Sequence, residues 1–349
     1  MGTILNQPIF FERNRVWRVY KGGLQFHNFF GDEEKDGFYP EEWVASVVSA
    51  INRDSTDQRE GLSILENTDI SLKNVIEKYP REMLGNRKDF GVLVKLLDSA
   101  IRLPVQAHPD KTFSKKHFCS DFGKTEMWLV IGTRKNASIY LGFKEKVSKE
   151  EFEEAVRDSY YDKDRMKQLL NEIPVKPGDV YLIPAKTIHA IGAGCLILEV
   201  QEPTDFTIQP EYWCDDYLLT EEEMYIGLTK STAMECFDFQ SYGNEVVLSS
   251  KKEPKVIFSD DTYKKETIIT KNDTTCFSVN RYKIVKKMEM QTAPAIYIIT
   301  EGEGIIEGKE YKRKIKKGDY FFLPYHAKGK YEIKTDSLIE MVECLPPEE

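Results

Sequence analysis

The sequence predicts a mainly β chain folded as two jelly-roll barrels with helical insertions, and three observations carry that reading. At 349 residues the chain is long enough for two domains with sizeable cores. Short apolar or alternating runs bounded by Gly, Pro, Asn and Asp dominate it. Finally, the unit Lys176-Pro-Gly-Asp-Val-Tyr-Leu-Ile-Pro184 recurs as Lys316-Lys-Gly-Asp-Tyr-Phe-Phe-Leu-Pro324. A Gly-Asp turn feeding a short apolar strand that stops at proline suits a double-sheet barrel: glycine takes the positive φ of the turn, and proline cannot donate to a ladder.

Strands are expected at 138–142, 180–184, 195–201, 277–285, 295–300, 319–323 and 338–342. A helix is expected from 148, where Ser148 and Glu151 make a capping box and Phe152, Ala155 and Val156 an apolar stripe. Met166, Leu169, Leu170 and Ile173 form a second helical stripe ending before Pro174, another helix is read over 71–78, and 90–97 reads equally as buried helix or strand. Gly192-Ala-Gly194 and Gly302-Glu-Gly304 lack the third glycine and the strand-to-helix setting of a nucleotide loop, and read as hairpin turns. The polar stretch 249–255 has the composition of a connector. It divides the chain into a domain over 1–245, with helical insertions at about 65–100 and 148–173, and a second over 256–349.

Composition narrows the function. Lys and Arg number 49 against 58 Asp and Glu, a net charge of -9, which argues against nucleic acid while leaving room for a local cationic pocket. The lysines between 309 and 317 interleave with apolar residues and read as a solvated strand face. Mean hydropathy is -0.47, no run of eighteen apolar residues occurs, and residues 1–11 carry no basic-then-apolar leader, so a cytoplasmic protein without membrane partners is expected. Cys119, Cys195, Cys214, Cys236, Cys276 and Cys344 include no CxxC pair and read as reduced thiols.

Two of the five histidines fall in informative places. Gln106 and His108 are two apart, so in an extended segment they share a face and can bring an amide oxygen and an imidazole nitrogen to one ion. Glu126 adds a carboxylate, with Trp128 and Val130 on its face if that segment is a strand. The run from Gly178 through Pro184 to His189 has the spacing of the second cupin motif, with Lys186 where that motif often has Gly. Each of these residues taken alone reads as an ordinary core or surface group. Together, two histidines and a carboxylate in a barrel interior suit zinc, iron or manganese, with a position left for a substrate oxygen. In the second repeat the residue five beyond Pro324 is Gly329, so that copy has lost its ligand, and His326 reads as a turn residue.

With these segments side by side, the chain resembles the type I phosphomannose isomerases, zinc-dependent cupin enzymes that interconvert mannose 6-phosphate and fructose 6-phosphate. The resemblance rests on Pro8-Ile-Phe-Phe-Glu-Arg13, Leu93-Val-Lys-Leu-Leu-Asp98, Gln106-Ala-His-Pro-Asp110, Gly123-Lys-Thr-Glu-Met-Trp128, the run from Gly178 to His189, and Glu199. It covers residues 8–215 well and the remainder only as a second jelly roll. It implies one zinc ion per chain held by Gln106, His108, Glu126 and His189, with Lys124 as the active-site lysine near substrate and Glu199 as the active-site acid. Independently, a lone carboxylate in the apolar run Leu196-Ile-Leu-Glu-Val200 would be desolvated, which raises its pKa toward the range of a base.

Two departures bear on the substrate. The family usually has an arginine ten residues after the active-site glutamate, where this chain has Gln209, and a serine two before the ligand glutamine, where it has Pro104. Glutamine offers only neutral hydrogen bonds where arginine offers a permanently charged fork for phosphate or a developing oxyanion. Lys111, Lys115, Lys116 and Lys186 are the nearby candidates to compensate. Three readings follow: an aldose–ketose isomerase working through a cis-enediol on this or another sugar, a sugar-binding or sensing module with weakened turnover, and an iron-dependent cupin oxygenase.

Overall fold

A computed structural model of the chain describes residues 4–52 and 59–348, so 1–3 and 53–58 of the predicted first domain, and 349 of the second, lie outside the described residues. The chain is mainly β. A seven-stranded antiparallel sheet has the order Arg15–Val16, Glu41–Val44, Leu93–Asp98, Cys195–Gln201, Glu126–Thr133, Val180–Ile183, Lys251–Lys252. A three-stranded sheet of Leu170–Pro174, Ser138–Phe143 and His189–Ile191 covers part of one face. The carboxyl-terminal half forms a nine-stranded sheet built around Ala295–Gly308.

Alternation along the central strands fixes which residues meet. Leu97, Trp128, Tyr181, Ile183 and Ile197 pack with Ile139, Leu141 and Ile191 of the three-stranded sheet. Their neighbours Val94, Leu96, Met127, Leu129, Leu196, Leu198 and Val200 pack on the opposite face against Ile296, Ile298, Phe322, Val342 and Cys344 of the second half. Both faces of the large sheet are therefore buried, which is why its strands read as nearly continuous apolar runs. Each such side chain contributes about 1.5–3 kcal/mol on burial. Charged residues inside these runs, Lys95 and Glu199, lie on the Trp128 face.

The repeated unit is duplicated in geometry. Gly178 (φ 97°) and Gly318 (φ 87°) occupy the same left-handed turn position. In each turn the aspartate carboxylate accepts from the lysine N–H three residues earlier, Lys176 at 3.0 Å and Lys316 at 2.9 Å. The registers agree as well: Trp128 lies between Tyr181 and Glu199, and Tyr297 between Phe321 and Glu343. Ala295 thus takes the place of Glu126, and Glu343 that of Glu199. Glu343 is buried and saturated, accepting from Asn280, Tyr282 and Tyr297.

Several expectations need correction. The stripe 166–173 is not a helix: a single 3-10 turn at Lys167–Leu169 leads into the strand Leu170–Pro174. A bulge opposite places Leu170 against Phe143 and Ile173 against Ile139, so apolar residues three apart face apolar partners without helical winding. The 65–100 insertion holds two short helices, Leu72–Lys78 and Pro80–Leu84, but Leu93–Asp98 is a strand paired on both edges. Gly302-Glu-Gly304 is no hairpin; it lies inside the fourteen-residue strand Ala295–Gly308, where the partner strands change. A Cβ on Gly302 would sit 1.9 Å from the Leu338 carbonyl oxygen, so glycine there permits close backbone approach. Gly192-Ala-Gly194 is a turn between strands of different sheets, not a hairpin. The stretch 249–255 is structured as the end of the helix Asn244–Ser250, the strand Lys251–Lys252 and the start of Lys255–Ser259. The capping box at Ser148 is present, heading Lys149–Asp158. All six cysteines are unpaired and only Cys119 is exposed. Among the described residues no helix is long and apolar enough to cross a membrane.

Candidate metal centre and cavity

Gln106 and His189 are bridged backbone to backbone, Gln106 N–H donating to the His189 carbonyl at 2.8 Å and His189 N–H to the Gln106 carbonyl at 2.9 Å. This pairing brings the first motif against the second. His108 follows on the Gln106 face, and Lys186 N–H donates to the His108 carbonyl at 2.7 Å. To make that bond Lys186 adopts φ 71°, the left-handed conformation for which the motif's usual glycine is suited. Glu126 opens the strand Glu126–Thr133, preceded by a loop that Glu202 holds by accepting from Gly123 N–H and Thr125 N–H. A side chain at Gly123 would meet the Pro109 carbonyl oxygen at 2.7 Å, so glycine lets the two motif segments touch.

His108, Glu126 and His189 converge with their ligand atoms within 4.8 Å of one another, all three residues fully buried. His108 Nε2 stands 3.2 Å from Glu126 Oε2, and His189 Nε2 stands 3.3 Å from Glu126 Oε1. Each imidazole donates its Nδ1 proton to a backbone carbonyl, Phe206 at 2.9 Å for His108 and Thr187 at 2.8 Å for His189. The Nε2 atoms facing the carboxylate are then bare lone pairs. Burial and the nearby Lys124 ammonium push His108 down to about 3, and burial lowers His189, so both rings are neutral near pH 7. Both Glu126 oxygens and His189 Nε2 are buried without a hydrogen-bond partner. Acceptors facing acceptors require a cation between them, and the cluster already attracts one: Lys124 Nζ lies 3.0 Å from His108 Nε2 and 3.6 Å from Glu126 Oε2. The donor set fits a divalent metal ion.

A cavity of about 540 Å³ opens beside the cluster, lined by Gln106, Lys124, Glu199 and Gln209 among others, with Pro104 also in its wall. The predicted site residues are thus brought together: three in the cluster and four on the cavity wall. Gln209 is tied down, its amide donating to the Glu223 carbonyl at 3.2 Å, and the acidic Glu222 and Glu223 flank that end. Lys111, Lys115, Lys116 and Lys186 are not among the described lining residues; Lys111 pairs with Glu202 and Lys115 with Asp121. The lining cations are Arg18, Lys95 and Lys124 instead.

Glu199 is buried, and that burial, with Glu126 nearby, pushes its carboxyl up to about 7 against the pull of Lys95 and Lys124. Burial also lowers Lys124 below the usual lysine range, whereas Lys95, despite burial, is raised by Glu41, Glu199 and Asp205. The sequence reading missed this second group. Glu41 accepts from Arg18 Nε at 3.0 Å, Tyr20 hydroxyl at 2.6 Å and Trp43 Nε1 at 2.7 Å, and Asp205 accepts from Arg18 Nη2 and Ile51 N–H. Lys95 was findable by the argument applied to Glu199, being a lone charge within the apolar run 92–97. Nothing local marks Glu41 or Asp205.

No protein-family model matches the chain. It is 31% identical over 268 residues to mannose-6-phosphate isomerase ManA of Bacillus subtilis (strain 168), covering 75% of this chain and 76% of that protein. It is 28% identical over 343 residues to the mannose-6-phosphate isomerase of Streptococcus mutans serotype c, covering 93% and 94%. The crystal structure of the Bacillus subtilis mannose 6-phosphate isomerase superimposes with a TM-score of 0.75 at 25% identity, covering 96% of this chain and 99% of that one.

Proposed function

The chain belongs to the mannose-6-phosphate isomerase family, and from that premise we propose that it interconverts mannose 6-phosphate and fructose 6-phosphate at one zinc ion held by Gln106, His108, Glu126 and His189. The observation that carries this reading is the buried Glu126 carboxylate, without a hydrogen-bond partner, facing the Nε2 atoms of His108 and His189, of which only that of His108 is met by another group, Lys124, beside a cavity of sugar-phosphate size. Zinc, when bound, would supply a Lewis acid for the carbonyl and hydroxyl oxygens of carbons 1 and 2.

The protein's own groups then divide the work. Glu199 takes the proton from carbon 2 of the aldose, the carbon 1 oxygen gains a proton to give the cis-enediol, and as the carbon 2 hydroxyl gives up its proton Glu199 returns its own to carbon 1, completing the ketose. A carboxyl near 7 is matched to that exchange at neutral pH. Lys124 and Lys95 place positive charge next to the developing oxyanion in a water-poor setting, where it is worth most. Gln209 contacts the substrate through its neutral amide. The two-barrel reading, with a boundary between 245 and 256, is supported by the seven-stranded sheet ending at Lys252 and the nine-stranded one beginning at Lys255. We read the second barrel as structural, since Ala295 stands in the position of Glu126. The unpaired cysteines support a reducing, cytoplasmic setting.

The test is metal analysis of the purified protein combined with a coupled assay of mannose 6-phosphate turnover, in wild type and Glu126→Ala. One zinc per chain with turnover in wild type, and neither in the variant, is expected. Full zinc stoichiometry in Glu126→Ala overturns the ligand set, and a zinc-loaded wild type inert toward mannose 6-phosphate overturns the isomerase reading.

A further inference from the structure

The register that sets Glu343 where Glu199 stands, and Ala295 where Glu126 stands, extends outward from the central strands. Lys95 lies across from Glu199, and Asn280 across from Glu343. One strand further out, Glu41 faces Leu97, two residues beyond Lys95, and Lys265 faces Tyr282, two residues beyond Asn280. Lys124 and Ala293 come two residues before Glu126 and Ala295. The second half therefore carries Lys265, Asn280 and Ala293 where the first carries Glu41, Lys95 and Lys124. All three of the first set line the cavity beside the metal cluster, and all three of the second set line a separate cavity of about 480 Å³. Ala295 leaves the second barrel without the ligand carboxylate, yet its mouth is open at the corresponding place.

The two mouths differ in charge. Around the first, Arg18, Lys95 and Lys124 meet five carboxylates, those of Glu41, Glu199, Asp205, Glu222 and Glu223. Around the second, Arg87, Lys265 and Lys271 meet one, that of Glu348. A cationic hollow in a chain of net charge -9 favours an anion at that spot. Its cations are held in place: Arg87 Nη1 donates to the Pro347 carbonyl at 2.6 Å, Lys271 pairs with Glu348 at 2.9 Å, and Lys265 Nζ lies 5.0 Å from the Tyr282 ring centroid and 3.8 Å from Glu343 Oε2. Asn280 is buried, its amide nitrogen donating to Glu343 at 2.8 Å, which leaves the amide oxygen as the end that can accept from a ligand hydroxyl. Thr267, Ser278 and Thr292 add hydroxyls to the lining. Cations suited to a phosphate and neutral groups suited to a polyol thus share one hollow of small-ligand size.

We infer that the carboxyl-terminal barrel binds a sugar phosphate in this cavity without turning it over, the phosphate against Lys265 and Lys271 and the hydroxyls against Asn280 and the neighbouring threonines. Glu343, in the position of Glu199, is already saturated by three donors, so no base faces the ligand. The inference does not depend on the isomerase reading. Its probe is glucitol 6-phosphate, which has the phosphate and hydroxyls of a hexose phosphate but no carbonyl to isomerise, and equilibrium dialysis of the full-length, zinc-loaded protein counts the ligand bound per chain. Lys265→Met removes the ammonium and keeps the stem, and Thr292→Glu sets a carboxylate in the lining. Wild type is expected to bind one equivalent more than either variant, the affinity for that equivalent falling about tenfold or more in each, with mannose 6-phosphate turnover unchanged. A count equal to wild type in either folded variant overturns the inference, as does a wild type that binds no glucitol 6-phosphate. Inorganic phosphate binding as tightly as the ester would make the cavity a bare anion site and overturns the sugar. Should Lys265→Met fail to fold, Thr292→Glu decides alone. If wild type fails to turn over mannose 6-phosphate, the isomerase reading falls, and the difference in count still decides this one.

Discussion

Lys95 and Glu199 stand opposite each other on adjacent antiparallel strands, with the ammonium 3.7 Å from Glu199 Oε1. The same ammonium lies 3.8 Å from Glu41 Oε2 and 3.7 Å from Asp205 Oδ1, above the Trp43 ring. One cation is therefore divided among three buried carboxylates, and Arg18 is engaged by two of them, Glu41 and Asp205. Glu199 receives the smallest share of compensation, which leaves its carboxyl free to respond to burial.

Glu199→Gln separates catalysis from stability. Turnover is expected to fall about a hundredfold to ten-thousandfold. In metal-stripped protein the sign runs the other way. The native pKa of about 7 exceeds the unfolded value of 4.5, so the wild-type carboxyl favours folding below pH 4.5 and loses that contribution as pH rises through 7. Urea titrations at pH 4.5 and pH 8 are expected to show the stability difference moving toward the variant by roughly 3 kcal/mol across that window. No movement places the proton elsewhere.

Gln209→Arg puts a charged fork at the cavity end flanked by Glu222 and Glu223. The expected outcome is a KM for mannose 6-phosphate lower by about tenfold, with that for unphosphorylated mannose unchanged. Steady-state kinetics on both sugars checks it; equal gains on both would mean the new charge acts on the reacting carbons.

Tyr320→Phe probes the joint between the halves. The Tyr320 hydroxyl donates to Glu42, a fully buried carboxylate that also faces Arg15. Removing the donor leaves a buried acceptor short of a partner and is expected to cost about 1–3 kcal/mol, read as a lower urea midpoint with unchanged slope.

Lys186→Gly tests the strain beside His108. A non-glycine residue at φ 71° gives up about 1–2 kcal/mol, part of which glycine returns to unfolded-chain freedom. A net gain of about 0.5 kcal/mol is expected in denaturant unfolding, with zinc content unchanged.

How much could be read in advance follows from where the information lies. Ser148 and Glu151 are three residues apart, so their helix cap is visible locally. His108, Glu126 and His189 were visible because motif spacing stands in for their distant pairing. Leu170 and Ile173 misled because a bulge in a neighbouring strand mimics helical spacing, and no local pattern announces a bulge elsewhere. Gly302 and Gly304 misled because glycine serves a close approach between strands as well as a turn. Glu41 and Asp205 are conspicuous only once Leu93–Asp98 is known to be a strand that carries Lys95 inward.

The apolar face shared by the two large sheets ties the fate of the carboxyl-terminal half to that of the half that holds the candidate centre. A chain cut near 250 would bare Val94, Leu96, Met127, Leu129, Leu198 and Val200 to water at once. The carboxyl-terminal unit is therefore no dispensable passenger: it is the lid over the back of the strands that carry Lys95, Glu126 and Glu199, and truncation would silence the centre without touching any residue in it.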